Sequence, residues 1–147
     1  MKLQVRKIME KDWVDGLFTQ WWSDWNTDPF PRDFLPGAFQ VGDHEDKKEG
    51  LGGFVVCKGN HPIAAMWLYL TNSKTAIPAV VVSDRYYKDT DRSDALQLLV
   101  NFTTDFAEDL GYKYAFAWAK EGKVLKYYEA GGWYKDESPS FELIKRY

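Results

Sequence analysis

Hydrophobic positions change their period several times along the chain, and each change marks an element. Leu3, Val5 and, less regularly, Ile8 alternate with charged residues, which predicts a short opening strand with one buried face. Val14, Leu17, Phe18, Trp21, Trp22 and Trp25 then recur at helical spacing behind Asp12, a residue suited to an N-cap, so one helix with a heavy aromatic face is expected. Pro29, Pro31, Pro36 and the charged run at 43–49 interrupt any period between Asn26 and Gly50. That stretch reads as loop, with at most a short helix near 32–35.

From Leu51 the texture is that of strands, at 53–58, 62–70 and 76–82. Turns at Gly59-Asn60 and 71–74 separate them, so an antiparallel meander is the simplest account. Ala95, Leu99, Phe102, Phe106 and Leu110 repeat at steps of three or four, with Thr90 or Asp91 as cap and Gly111 as stop, which predicts a helix. A strand at 112–119, a short helix at 123–130 ended by Gly131-Gly132, and closing strands at 133–134 and 141–147 complete the reading. With 147 residues and no internal repeat or linker, one domain over 1–147 is expected. The expected class is α/β in the broad sense (α+β), a mixed, mostly antiparallel central sheet of six to seven strands flanked by helices.

Composition adds seven Trp, nine Tyr and nine Phe, which imply a core built from large rings. A net charge of -3 argues against a sequence-independent grip on nucleic acid. No apolar run approaches the roughly 20 residues of a membrane helix, and the polar opening is unlike a signal peptide. The expectation is a cytoplasmic protein with neither a membrane nor a nucleic-acid partner. Cys57, the sole cysteine, lies in an apolar run and reads as a small core residue. His44 and His61, in predicted loop and turn without nearby Cys or paired spacing, read as surface histidines, so neither a metal site nor a His-based triad is expected.

Two segments stand out. Tyr128-Glu129-Ala130-Gly131-Gly132-Trp133 links the short helix to the next predicted strand, and Thr90-Asp91-Arg92-Ser93-Asp94-Ala95, followed by Leu98-Leu99, opens the second helix. With the order of elements, they resemble the GNAT superfamily of acyl-CoA-dependent N-acyltransferases. The first matches a late family motif, Tyr-Glu followed by Gly and an aromatic. The second lies where the family has Arg or Gln, two residues, Gly, one residue, Gly or Ala, then a Leu pair; only the final small residue and the leucines agree.

The resemblance implies transfer of an acetyl group from acetyl-CoA to a small-molecule or peptide amine by direct attack, in a monomer or homodimer. It makes Val80 and Val82 the strand positions whose backbone pairs with the pantetheine arm. It places Thr90, Arg92, Ser93, Asp94 and Ala95 at the pyrophosphate, where a helix start presents unpaired N–H groups and the positive end of its dipole. Tyr128 matches the family's acid for the leaving thiolate, with Tyr127 as the fallback one position away. No motif fixes a general base; Asp84, at the end of its strand, is the candidate.

Asp89, Asp91 and Asp94 depart from the family by setting carboxylates beside the proposed phosphates. Like charges some 4 Å apart repel by about 1 kcal/mol in water, and Arg85, Lys88 and Arg92 are available to offset this. The same acids also suit an ordinary helix start, and Val124 with Tyr128 at i and i+4 also suits a core-facing stripe. The alternative function is a degenerate relative that binds CoA or a protein partner without catalysis, the aromatic helix at 13–25 being its partner surface. The Trp and acidic residues between 21 and 49 also suit a pocket for a cationic amine.

Overall fold

Three long antiparallel strands organise the chain in a computed structural model, which describes residues 1–39, 52–119, 122–138 and 140–147. They are β2 (Gly53–Lys58), β3 (His61–Leu70) and β4 (Thr75–Ser83). β1 (Leu3–Lys7) pairs antiparallel with β2, from Leu3 opposite Lys58 to Lys7 opposite Phe54. β5 (Tyr114–Ala115) lies parallel to β4, and the sheet order is β1-β2-β3-β4-β5. The class is the expected one, with five strands where six to seven were anticipated. Only two residues of the predicted 112–119 strand pair, and neither 133–134 nor 141–147 forms a strand. Tyr134, Phe141, Leu143, Ile144 and Tyr147 are largely exposed. A hydrophobic pattern marks residues fit for a pleated surface, but a strand also needs a neighbouring ladder, and adjacent Leu143 and Ile144 break the period of two.

The predicted first helix is two helices, α1 (Glu10–Val14) and α2 (Leu17–Asp24). Gly16 between them has φ +73°, a left-handed conformation that ends α1 and that glycine adopts without steric penalty. Asp12 is inside α1 rather than at its cap. Its Oδ2 accepts the Met9 N–H at 2.7 Å, and both of its oxygens accept from Arg6, at 2.8 and 2.9 Å, which ties α1 to β1. A 3-10 turn at Arg32–Phe34 follows. α3 (Arg92–Asp109) stops before Gly111, whose φ is +98°, and α4 (Lys123–Ala130) ends at Gly131-Gly132.

Strand alternation gives the sheet two apolar faces. Phe54, Val56, Met66 and Leu68 face α3, where they meet Ala95, Leu99 and Val100. Val55, Cys57, Ala65 and Trp67 face α1 and α2, where they meet Phe18, Trp21 and Trp22. Cys57 is buried and free, as expected, and burial pushes its thiol above the ordinary range. Phe18, Trp21 and Trp22 of the aromatic stripe are therefore core, while Val14 and Trp25 at its two ends are exposed. Trp67, fully buried, stacks on Trp22 at 5.6 Å and takes an edge contact from Phe18 at 5.0 Å. Among the described residues no helix is long and apolar enough to cross a membrane.

The sheet is tightest at Gly53. A Cβ there would lie 2.3 Å from the Met66 carbonyl oxygen and 2.8 Å from Ile8 Cδ1. Gly53→Ala is expected to cost about 1–3 kcal/mol, read from the urea midpoint, because β2 and β3 must part to admit the methyl group. An unchanged midpoint would show slack in this pair.

Candidate active site

β4 keeps step with β3 up to Ala79 opposite Trp67, and resumes with Val81 opposite Met66. Val80 is the extra residue of a β-bulge, with φ +61°. A β-branched residue in that region is an outlier and carries strain of about 1–3 kcal/mol, which persists only where the surroundings impose it. The bulge reverses the alternation. Ala76, before it, packs on the α3 side, and so does Val81 after it, while Val80 and Val82 join the α2 side.

The backbone follows the same reversal. The Asp84 N–H donates to the Ile63 carbonyl at 2.8 Å, and the Ser83 carbonyl, one residue back, faces away from β3 and accepts the Trp25 indole N–H at 2.8 Å. Counted back from there, Val82 directs its N–H and C=O to β3, and Val81 directs its own outward.

Outward, β4 has a partner for only a short distance. Pairing with β5 ends at Ala76 and Ala115, with the Phe116 N–H donating to the Ala76 carbonyl at 2.9 Å. Beyond it the two chains part. Pro78 stands on the open edge, where its missing N–H costs nothing, and its carbonyl accepts the Tyr128 hydroxyl at 2.9 Å. A cleft of about 1350 Å³ opens there. Val80, Tyr128 and Glu129 line it, with Phe116 and Trp118 from beyond β5 and Phe30 and Phe34 from beyond α2.

Tyr128 is buried, edge-on to Trp133 at 5.0 Å, and burial pushes its phenol well above the usual value. It is therefore a neutral donor. α3 fixes the end of α4 that carries it: Gln97 Nε2 donates to the Tyr127 carbonyl at 2.8 Å, and Gly131 packs so closely that a Cβ would lie 2.7 Å from Asn101 Oδ1. Tyr127 instead sits over the start of α3, its hydroxyl 3.4 Å from Ser93 Oγ.

At the far end of the open edge, the segment 84–91 leads into α3. Arg92 binds it from within, donating from Nη1 to the carbonyls of Asp84 (2.6 Å) and Tyr87 (3.0 Å) and from Nη2 to Ser83 Oγ (2.8 Å). Asp91 accepts the Tyr87 hydroxyl at 2.6 Å and pairs with Lys58 at 3.0 Å; Lys58 is also 3.6 Å from Asp89. The Tyr87 hydroxyl, then Lys58, hold the Asp91 carboxyl below its ordinary range, while the same hydrogen bond raises the Tyr87 phenol. Asp91 occupies the N-cap position without a side-chain capping bond.

No protein-family model and no curated protein sequence matches the chain. Solved structures do match its shape. One is an aminoglycoside acetyltransferase from an uncultured soil metagenomic sample, in complex with sisomicin: TM-score 0.65 over 98% of this chain and 97% of that one, at 12% identity. Another is the ribosomal-protein-S18-alanine N-acetyltransferase from Escherichia coli, with TM-score 0.61 over 89% of this chain and 77% of that one, at 12% identity. N-acetylglutamate synthase from Neisseria gonorrhoeae, complexed with coenzyme A and N-acetyl-glutamate, matches 90% of this chain with 28% of its own, at TM-score 0.58 and 9% identity. The chain has the GNAT fold.

Within the GNAT fold the anticipated residues divide. Val80 and Tyr128 meet at the cleft, and Thr90, Ser93 and Asp94 are at the α3 start with exposed side chains. Three do otherwise than expected. Val82 turns its backbone to β3, so the outward groups belong to Val81. Ala95 is buried with its N–H already donated to the Asp91 carbonyl at 2.9 Å, and Arg92 directs its guanidinium inward to residues 83–87.

Asp84 does not approach Tyr128. It lies six residues beyond Pro78, roughly 17–20 Å along the strand. There its Oδ1 accepts the Tyr86 N–H at 3.0 Å and its Oδ2 is 3.5 Å from His61 Nε2. His61 opens β3 rather than lying in the turn, and stacks on Tyr87 at 5.5 Å. Arg85 is engaged at the end of α2, donating to the Asp24 carbonyl at 2.7 Å. His44 and the charged run at 43–49 lie outside the described residues.

Glu129, Phe30, Phe34 and Trp118 were not singled out as site residues. The readable signal was Pro78, since a proline within an apolar strand marks an edge.

Arg92→Gln tests how the α3 start is held. Loss of charge-assisted bonds to three acceptors is expected to cost about 1–3 kcal/mol and to speed amide exchange across 84–88. Unchanged exchange there would mean that Lys58 and Tyr87 suffice.

Proposed function

We propose that the chain is an N-acetyltransferase that moves an acetyl group from acetyl-CoA to an amine. The observation that carries this is the open edge of β4, with the start of α3 at one end and the Tyr128 hydroxyl at the other. The residues fit the ligand. Outward backbone groups at Val81 suit an amide-bearing arm that adds alongside β4 like a further strand. The first turn of α3, at Ser93 and Asp94, suits a pyrophosphate. Lys58, set between Asp91 and Asp89, offsets part of the repulsion from the acids there. The Neisseria neighbour, complexed with coenzyme A, supports the same assignment.

Acetyl-CoA supplies an activated thioester. The chain supplies position, a route for a proton and a donor for the departing sulfur. The amine nitrogen bonds the acyl carbon as the carbon–sulfur bond breaks. Tyr128 gives its proton to the sulfur, exchanging its bond to the Pro78 carbonyl for one to the thiolate. The proton lost by nitrogen leaves through Glu129 or water, and solvent restores the Tyr128 proton. Burial raises the phenol, but the same apolar surroundings raise a thiol, so donor and acceptor remain matched.

Calorimetric titration with acetyl-CoA is the direct test. Binding is expected, and ligand at 100 times its dissociation constant adds about 2.7 kcal/mol of stability. Neither heat nor a melting shift at millimolar acetyl-CoA would favour a protein-interaction module instead.

Tyr128→Phe is expected to keep acetyl-CoA affinity while slowing transfer on the order of 100-fold, with Tyr127→Phe near wild type. A wild-type rate for Tyr128→Phe would remove it as the acid.

A further inference from the structure

The acceptor side of the cleft carries its own chemical signature, separate from the β4 edge. Phe30 and Phe34 stack at 5.0 Å, and Phe116 and Trp118 line the same cleft. Phe34 is 39% exposed, Phe116 60% and Trp118 39%, in a chain whose Trp21, Trp22 and Trp67 are buried. Large rings left in water and converging on one concavity are the mark of a binding surface.

This wall is fixed before anything binds. Arg32, between the two phenylalanines in sequence, forms a two-point ion pair with Glu10 and lies over the Trp13 ring at 5.3 Å. Phe30 meets the Trp22 ring at 5.3 Å, and the Tyr69 hydroxyl donates to the Phe34 carbonyl at 3.0 Å. Tyr69 also reaches the Trp118 ring, at 6.4 Å, so one β3 residue contacts both segments. A wall ordered in advance loses little freedom on binding.

Charge narrows the class of ligand. The described cleft lining holds three carboxylates, Glu129, Asp136 and Glu142, against the ammonium groups of Lys135 and Lys145, a net charge of -1. That balance suits a single ammonium group. A polycation calls for several unopposed carboxylates, and a peptide calls for backbone partners.

Building on the acetyltransferase reading, we infer that the acceptor is a primary amine on a flat apolar body, an arylalkylamine. Its ring lies between the Phe30–Phe34 pair and Trp118, and its nitrogen is directed to the bulge at Val80, next to Tyr128 and Glu129.

Thiol release from acetyl-CoA should be followed with phenethylamine and tryptamine against spermidine, kanamycin and a short peptide with a free N-terminus. Burying one ring is worth about 1.5–3 kcal/mol, so kcat/KM for the two arylalkylamines is expected to exceed that for spermidine by about 10-fold or more. Phe34→Ala and Trp118→Ala, both at partly exposed positions, are expected to raise KM for phenethylamine by about 10-fold. KM for acetyl-CoA should stay as in the wild type, and both variants should still melt cooperatively, a few degrees lower at most.

Spermidine, kanamycin or the peptide turned over as well as phenethylamine would overturn the inference, as would wild-type KM for phenethylamine in both variants. Acetyl-CoA binding with no arylalkylamine turnover would overturn it and leave the cofactor assignment standing. Failure to bind acetyl-CoA at all would instead overturn the acetyltransferase reading, and this inference with it.

Discussion

One extra residue in one strand sets the geometry on which the candidate site depends. With Val80 inserted opposite a single β3 position, β4 changes its phase half-way along. Before the bulge, the outward groups of Ala76 pair with β5 and the Pro78 carbonyl takes the Tyr128 hydroxyl. After it, the outward groups are those of Val81. Without the bulge, Val80 would present its backbone outward and Val81 would face β3, so the free edge would start in a different register relative to Tyr128. The same insertion turns Val81 into the α3 core and leaves Val82 against Trp67 and Ala65, so core and edge are fixed together. Val80, at φ +61°, packs on the α2-side core and lines the cleft.

The second constraint is the inward use of charge at the α3 start. A basic side chain near a proposed phosphate site is commonly taken to face the phosphate, yet Arg92 binds Ser83, Asp84 and Tyr87 instead. The segment 84–91 is thereby drawn against the end of β4. Lys58 reaches Asp91 and Asp89 from the end of β2, so the acids at this helix start are partly compensated by the sheet itself. What remains for an anion is backbone N–H in the first turn. Backbone N–H groups can serve an anion whatever side chains such a loop carries.

How much of this was legible in the sequence varies with the kind of signal. The meander and α3 follow periods of two and of three to four, and were located within a residue or two because long amphipathic segments set their own boundaries. The break at Gly16 was not legible, since the apolar spacing runs on through it and only the φ reveals the turn. The bulge left no trace either: Val80-Val81-Val82 reads as uninterrupted strand, without the glycine that often marks such a site. Motif register favours Tyr128 over Tyr127, and in the structure Tyr128 lines the cleft while Tyr127 sits over the start of α3. Asp84 shows the limit of reasoning along the chain. A residue at the end of a strand is easily placed, but which end of the site that strand end faces depends on β5 and α4, both later in sequence.

The aromatic residues show what composition alone leaves unresolved. A cluster of tryptophans near acidic residues suits a cation pocket in principle. Here Trp21, Trp22 and Trp67 instead fill the space under α1 and α2, and the Trp25 indole N–H serves the Ser83 carbonyl. Large rings are the cheapest way to bury area against a short pair of helices, so the earliest tryptophans are drawn inward. The rings left for the cleft come from the loop and 3-10 turn at 30–34 and from 116–118 beyond β5, where no long helix face demands them. Burial thus separates two populations of aromatics that composition merges, and Phe34, Phe116 and Trp118 of the exposed one line the cleft at the open edge of β4.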